Sequence, residues 1–378
     1  MKILKSIIFV FLLVTLISIA GMMWFSHTMK NMSLEERLQY TLNQVTDGKS
    51  IYGISVCIYS ADDGFIWNGS SGVMNDETQY SLASVTKMYT TTLILQLYEK
   101  GELNLDDPIA DYLSADIMDG LHVFEGTDYS GMITIRHLLT HTSGLPDYFT
   151  EPTENKQSIE EIRKTQDISY GLDEILDRTK ALSPHFAPGA EDRAYYSDGN
   201  FQLLGAIIEN VTGKELSEVY SEQIFKPLNM NRTYLKTDDS TWGIAPIYYK
   251  GNALEVPKIV VSEKSTGGIV STASENMTFL TALFSGKLFL KEYLEEMQDW
   301  KNIFFPMQYS AGLMRCAVPV PFVNLPDYEL IGHSGSTGTF CYYCPSRDIY
   351  ITGTTNQLDT AKAMMVVYRL LMCFNYGK

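Results

Sequence analysis

The stretch SLASVTKMYTTTLILQLYEKG, Ser81 to Gly101, restricts the fold more than any other part of the chain. It reads as a helix from about Ser84 to Lys100, with Gly101 just past the cap, where a left-handed residue ends many helices. Met88, Leu93, Leu95 and Leu97 are among its apolar positions, and past the first turn it is apolar nearly all round. Such a helix has no face to offer water, so it must lie at the centre with other elements packed about it. Its first turn does not fit that picture. Ser84 opens the helix and Lys87 follows one turn later, where an ammonium faces the positive end of the dipole and is mildly unfavourable.

The flanking pattern says what could surround it. NMSLEERLQYTLNQVTDG, residues 31–48, reads as a polar helix, and ISVCIYSADDGFIWNGSSG alternates and turns at ADDG as a β-hairpin does. From about 102 to 265 short helices alternate with long connections rich in Pro, Gly and Asp. The clearest are ITIRHLLTHTSGLPDY and NFQLLGAIIENVTGKELSEVYSEQIFKPLNM, both closed by glycine or proline. Strand character returns in YSAGLMRCAV and in GTFCYYCPSRDIYITGTTN, which reads as two strands around a PSRD turn. Residues 358–373 close as an amphipathic helix. Strands at both ends with helices between predict an α+β fold: one antiparallel sheet flanked by helices and assembled from both ends of the chain, plus an all-helical lobe at about 102–265. At 378 residues the expectation is one large domain or two interleaved lobes.

The first residues are different. Lys2 and Lys5 precede an uncharged apolar run from Ser6 to Phe25, long enough to cross a bilayer. The lysines predict a cytoplasmic N-terminus. Ser18 and Ala20 form a small-x-small site, so both an uncleaved anchor and a cleaved signal peptide fit residues 1–27. Residues 28–45 then form a juxtamembrane helix, and 46–378 the main domain, on the extracytoplasmic face of the membrane or secreted. A formal net charge of −16 makes nucleic acid an improbable partner. Cys57, Cys316, Cys341, Cys344 and Cys373 are too sparse and odd in number for a disulfide framework, and the CxxC of Cys341 and Cys344 lacks a second pair for zinc.

Three segments carry residue types that do chemistry together. Ser84-Val85-Thr86-Lys87 places a hydroxyl at a helix N-terminus, where N–H groups and the dipole stabilise an oxyanion, and puts an ammonium on the same face. A serine needs an adjacent base to become a nucleophile, and a desolvated lysine of lowered pKa can serve. The spacing S-x-x-K also arises by chance about once or twice in a chain this long, and on the motif alone an N-capping serine beside a surface lysine is the simpler reading. Second, a turn at Pro188-Gly189 leads to Tyr195, Tyr196, Ser197 and Asp198 before a helix. Beside an ammonium the Tyr196 phenol pKa should fall, permitting general base work, and Asp198 can orient the lysine. The bland alternative is two packing tyrosines and a cap. Third, LIGHSGSTGTF puts His333, Ser334 and Gly335 at the start of a strand. Gly335 would let a substrate approach the strand edge, His333 would supply a hydrogen-bond donor, and the N–H of Ser336 would pair with that of Ser84 as oxyanion donors. A glycine-rich turn with a chance histidine is the alternative.

Taken together, S-x-x-K on an apolar helix, PG followed by YSD and a helix, and H-S-G on a late strand resemble the serine β-lactamase and penicillin-binding-protein-like superfamily. The likeness is closest to its tyrosine-base branch of class C-type β-lactamases, D-alanyl-D-alanine carboxypeptidase-like proteins, D-aminopeptidases and esterases. HLLTHTSGLPDY, FQLLGAIIENVTG, FKPLNM and GGIVSTASE resemble recurring segments of that family, and the resemblance runs from roughly 46 to 375. It implies that Ser84 is the acylated nucleophile, Lys87 the lysine that activates it and Tyr196 the base. Asp198 stands where the family has asparagine, and His333-Ser334-Gly335 where it has K-T-G. The lysine form suits a substrate carboxylate; a histidine is only partly charged near neutrality, which points away from β-lactams and towards amide, peptide or ester substrates, cell-wall fragments among them. No metal or cofactor is implied.

His137 and His141 have the i, i+4 spacing of a zinc site, but Leu138 stands where the catalytic glutamate would be, and a helix face packed under the cleft accounts for them better. The expectation is an exported serine hydrolase acting through an acyl-enzyme. An esterase, β-lactamase or acyl transferase using the same intermediate is the first rival, a non-catalytic binding protein the second. Lys87→Ala should abolish acylation and leave thermal stability unchanged or slightly raised. Oligomeric state is open.

Overall fold

The computed structural model describes residues 29–154, 156–189, 193–296, 298–304, 306–317, 328–358 and 360–375. The apolar run at 6–25 lies outside these residues. No helix among the described residues is long and apolar enough to cross a membrane.

The ADDG hairpin forms β1 (Gly53–Ser60) and β2 (Phe65–Gly72), in register from Gly53 opposite Gly72 to Ser60 opposite Phe65. The late strands are β3 (Lys301–Phe304), β4 (Met307–Ser310), β5 (Leu313–Ala317), β6 (Glu329–Ser334), β7 (Thr339–Cys344) and β8 (Ile349–Thr354). All eight form one antiparallel sheet in the order β3-β4-β5-β6-β7-β8-β1-β2. The first hairpin therefore docks on the last strand, as strands at both ends of the chain required. YSAGLMRCAV, which reads as a single strand, is a hairpin: Ala311 and Gly312 both take positive φ, 45° and 72°, and fold β5 back onto β4.

Helices cover both faces of the sheet. On one, α1 (Leu34–Val45) packs against β2 and the C-terminal helix α8 (Thr360–Met372) against β7. On the other, α7 (Ala273–Phe284) lies across β8 and β1, its Ala273 carbonyl accepting from Thr352 Oγ1 at 2.7 Å. In the stretch 102–265 the regular elements are mostly short helices, α4 (Ile159–Ile162) among them, joined by two-stranded hairpins at Val123–Asp128 and Ile247–Leu254 and a short strand, Tyr234–Leu235, that pairs with Ile269–Ser271. All five cysteines are buried free thiols.

The central helix is α2 (Thr86–Glu99), preceded by a 3-10 turn at Ala83–Val85. Every residue from Thr86 to Leu97 is buried. Gly101 takes φ +70°; its N–H donates to Tyr98 O and that of Glu102 to Leu97 O, the paired bonds of a Schellman stop. Around α2 lie α5 (Asp198–Thr212) and α6 (Pro257–Gly267). The HLLTHTSG segment gives only a five-residue helix, α3 (Ile135–Leu139), because His141 leaves the helical region at φ 58°.

Candidate active site

Ser84 is not a helix cap. It sits inside the 3-10 turn, partly exposed, and α2 begins with no side-chain capping bond. The turn is pinned by neighbours: Leu82 N–H donates to Ile269 O, and Thr337 and Thr339 hydroxyls both donate to Ser81 O. Ala83, just before the serine, is held at φ 45°, an unfavourable region for a residue with a Cβ. Gly335 lies against this segment. A Cβ there would come within 2.6 Å of Leu82 O and 3.1 Å of Ala83 Cβ. The glycine is thus needed by the close approach of the chain itself, where the strand position pointed to substrate.

Lys87 is fully buried one turn into α2. Its Nζ is 2.5 Å from Asp198 Oδ1 and donates to Thr266 O at 3.1 Å. Each partner has a structural cause. Asp198 is the first residue of α5, where the dipole favours a carboxylate. Thr266 follows a break in α6 at Lys264, φ 34°, which frees carbonyls: Ser265 O accepts from Thr90 Oγ1 and Thr266 O from Lys87.

The Tyr196 ring lies beside this pair, its centroid 5.1 Å from Lys87 Nζ, and its hydroxyl is buried. The Ser84 hydroxyl lies close enough to the phenol to oppose a rise in its pKa, although the geometry falls short of a full hydrogen bond. The predicted fall in the Tyr196 pKa does not occur. Burial, then the Asp198 carboxylate, drives it well above 10. The ammonium expected to stabilise a phenolate is already engaged by Asp198.

His333, on β6, meets Tyr196 at 6.2 Å and Tyr309 at 5.7 Å between ring centres. Burial and the Lys87 charge lower its pKa to about 3, so it is neutral. Its Nδ1 lies 2.7 Å from Ser334 O; a carbonyl can only accept, so Nδ1 carries the proton and the unpartnered Nε2 is a bare acceptor. His333 therefore offers a lone pair to the site, where a donor had been expected. Ser334 alternates away and bonds Tyr342 Oη at 2.7 Å. Ser336 Oγ accepts from Arg163 Nη1 at 2.9 Å.

Several contributors lie outside the three motifs. Tyr309, on β4, is fully buried with its hydroxyl unpartnered, 4.4 Å from His141 and 5.7 Å from Tyr196 between rings. His141 accepts at Nδ1 from Ser197 N–H, so its Nε2 bears the proton, buried and without a partner. His137 turns back to accept from Thr134 N–H, so the two histidines do not converge. Asp147 accepts from the Asp198 N–H at 2.9 Å; burial and Asp198 push its pKa up to about 7. Glu263 is likewise raised by burial and Asp198. Asp198 thus has two further carboxylates, Asp147 and Glu263, beside it, where the sequence pointed to one.

The Beta-lactamase family model matches residues 38–372, an interval that takes in every residue just described. The chain belongs to the Beta-lactamase family. That places it among the β-lactamase-fold serine hydrolases. It is 34% identical over 157 residues to a putative D-alanyl-D-alanine carboxypeptidase of Escherichia coli O157:H7, covering 41% of this chain and 33% of the relative. To esterase EstB of Burkholderia gladioli it is 29% identical over 210 residues, covering 52% and 50%. The chain thus spans a third to a half of the length of these curated relatives. A D-stereospecific amidohydrolase from Streptomyces sp. superposes with a TM-score of 0.70 at 26% identity, over 87% of this chain and 97% of that one. In this Beta-lactamase-family chain the hydroxyl, ammonium and phenol that the first two motifs supply share one centre beside the His333 of the third, between α2, α5 and β6.

Proposed function

We propose that this chain is an exported serine hydrolase that acts through an acyl-enzyme on an amide, peptide of D-amino-acid type, or ester. The observation that supports it most is the fully buried Lys87–Asp198 pair set beneath the Tyr196 phenol, which in turn interacts with Ser84. A binding protein gains nothing from burying a lysine against such a cost. The names of the carboxypeptidase, the esterase and the D-stereospecific amidohydrolase support the substrate range. Lys2, Lys5 and the apolar run from Ser6 to Phe25 support export, with an anchor or a cleaved leader.

The raised Tyr196 pKa favours one form of general base catalysis. A phenol that is protonated at neutral pH can accept and donate in the same step. Ser84 Oγ attacks the carbonyl carbon, its proton moves to the Tyr196 oxygen, and the phenol proton moves to the leaving nitrogen or oxygen. The old bond breaks and an ester is left on Ser84. Backbone N–H groups of Ser84 and Ser336 hold the oxyanion. A water then attacks, giving its proton to Tyr196 while Tyr196 returns one to Ser84 Oγ. The Lys87–Asp198 pair keeps a fixed charge pattern under the phenol.

A fluorophosphonate probe tests the nucleophile. Wild-type protein is labelled and Ser84→Ala is not; labelling that survives in Ser84→Ala refutes the assignment. D-amino-acid amides and peptides, short-chain esters and cephalosporins, compared by product analysis, then rank the substrates.

A further inference from the structure

Four polar atoms around the phenol are buried and have no partner: Tyr196 Oη, Tyr309 Oη, His141 Nε2 and His333 Nε2. Their rings form one cluster. Tyr309 stands 4.4 Å from His141, 5.7 Å from Tyr196 and 5.7 Å from His333 between ring centres. The acyl-transfer scheme uses Tyr196 and leaves Tyr309 without a task.

The fold holds Tyr309 and His141 firmly in place. Tyr309 lies on β4, two residues before the Ala311–Gly312 turn. A Cβ on Gly312 would come within 1.9 Å of Thr91 Oγ1 and 3.3 Å of Lys87 O, so the turn is pressed onto the start of α2. Gly312 N–H donates to Leu139 O at the end of α3. The His141 ring accepts at Nδ1 from Ser197 N–H and from Asn200 Nδ2 at 2.8 Å, and its carbonyl accepts from Tyr195 N–H at 2.9 Å.

The four atoms are complementary. His141 Nε2–H can only donate and His333 Nε2 can only accept, while each phenol can do both. After burial, charge on the Tyr196 oxygen is the largest influence raising the Tyr309 pKa, so the two hydroxyls feel each other directly. A buried hydroxyl that makes no bond at rest is costly, and phenylalanine would fill the same space without that cost. Tyrosine is worth keeping there if its bond forms during the reaction. Catalytic hydrogen bonds often tighten only in the transition state, and a bond made only there accelerates the chemical step.

We propose that Tyr309 is a positioning residue whose hydroxyl donates to the Tyr196 oxygen as that oxygen hands its proton to the leaving group. The proposal rests on the acyl-enzyme reading. Ser84 Oγ bonds to the carbonyl carbon, its proton passes to Tyr196, the Tyr196 proton passes to the leaving atom, and the old bond breaks. Negative charge gathers on the phenol oxygen when its own proton departs ahead of the one arriving. Tyr309 stabilises that charge and keeps its own proton throughout. The benefit is greatest for a leaving group that must be protonated.

The 4-nitrophenyl and methyl esters of N-acetyl-D-alanine test this, because both give the same acyl-enzyme. Nitrophenoxide departs without a proton; methoxide needs one. In Tyr309→Phe, kcat/KM should fall at least about tenfold on the methyl ester and less than about threefold on the nitrophenyl ester. Tm should equal or exceed that of wild type, since only an unpartnered oxygen is removed. Equal losses on the two esters, as packing alone or a bond to His333 would give, overturn the proposal. An unchanged methyl ester rate, a Tm several degrees lower, or a labelled wild type that cleaves the nitrophenyl ester alone does the same. Fluorophosphonate labelling keeps the two readings apart: an unlabelled wild type would be failure of the acyl-enzyme reading itself.

Discussion

Replacing Lys87 with methionine probes the centre of this arrangement. Methionine keeps much of the volume and removes the charge. What it leaves is the Asp198 carboxylate, buried, with Asp147 bonded to its own N–H and Glu263 close enough to be perturbed by it. Breaking a buried ion pair by removing one partner costs about 3–5 kcal/mol, and two further carboxylates put this case at the upper end. An unfolding entropy of ~2.1 cal/mol/K per residue over residues 38–372 is about 0.7 kcal/mol/K, so Tm should fall by about 4–7 °C. This reverses the expectation drawn from sequence, where the lysine looked ill-placed on its helix and its loss looked harmless. The dipole term is worth well under 1 kcal/mol; the stranded carboxylate outweighs it. The deficit also has a pH signature. Protonation discharges the stranded carboxylate cluster, whose Asp147 burial and Asp198 already push up to about 7, so the folded variant binds protons that the unfolded chain does not, and the gap to wild type narrows as pH falls through about 7. Lys87→Met with Asp198→Asn removes both charges together and should regain most of the lost Tm, while still failing to react with the probe. Thermal unfolding followed by circular dichroism at about pH 8 and about pH 5 is sufficient. A single variant within 1 °C of wild type at about pH 8, or a gap that widens in acid, refutes the account.

The neutral phenol and the neutral imidazole each shape the pH–rate profile. With Tyr196 held well above 10, the shuttle predicts a kcat/KM that is flat from about pH 7 to 9, whereas a phenolate base would give a tenfold rise per pH unit. With His333 at about 3, no inflection near 6.5 on the acid side should depend on His333; one that His333→Gln removes would contradict the assignment. Gly335→Ala drives a methyl into Leu82 O and Ala83, costing about 1–3 kcal/mol, and should slow probe labelling of the folded fraction at least about tenfold; undiminished labelling would show that this contact does not position Ser84.

What the sequence revealed and what it hid divide along one physical line. Gly101, the ADDG turn, the sheet joined from both ends and the grouping of Ser84, Lys87, Tyr196 and Asp198 are carried by local spacing or by motifs whose members fold together. Ala311–Gly312 escaped because an alanine at φ 45° is not the residue that signals a hairpin turn. Asp147, Glu263, Arg163 and Tyr309 escaped because a buried charge or phenol leaves no periodic trace, and its partners come from distant segments. The sign of the Tyr196 shift failed for the same reason in a sharper form. An ammonium lowers a neighbouring phenol only while its charge is available, and Asp198 at 2.5 Å removes that availability. Asp198 at the head of α5 thus adds to burial in keeping the base a neutral phenol, while burial and the Lys87 charge keep the histidine neutral, its free nitrogen a bare acceptor.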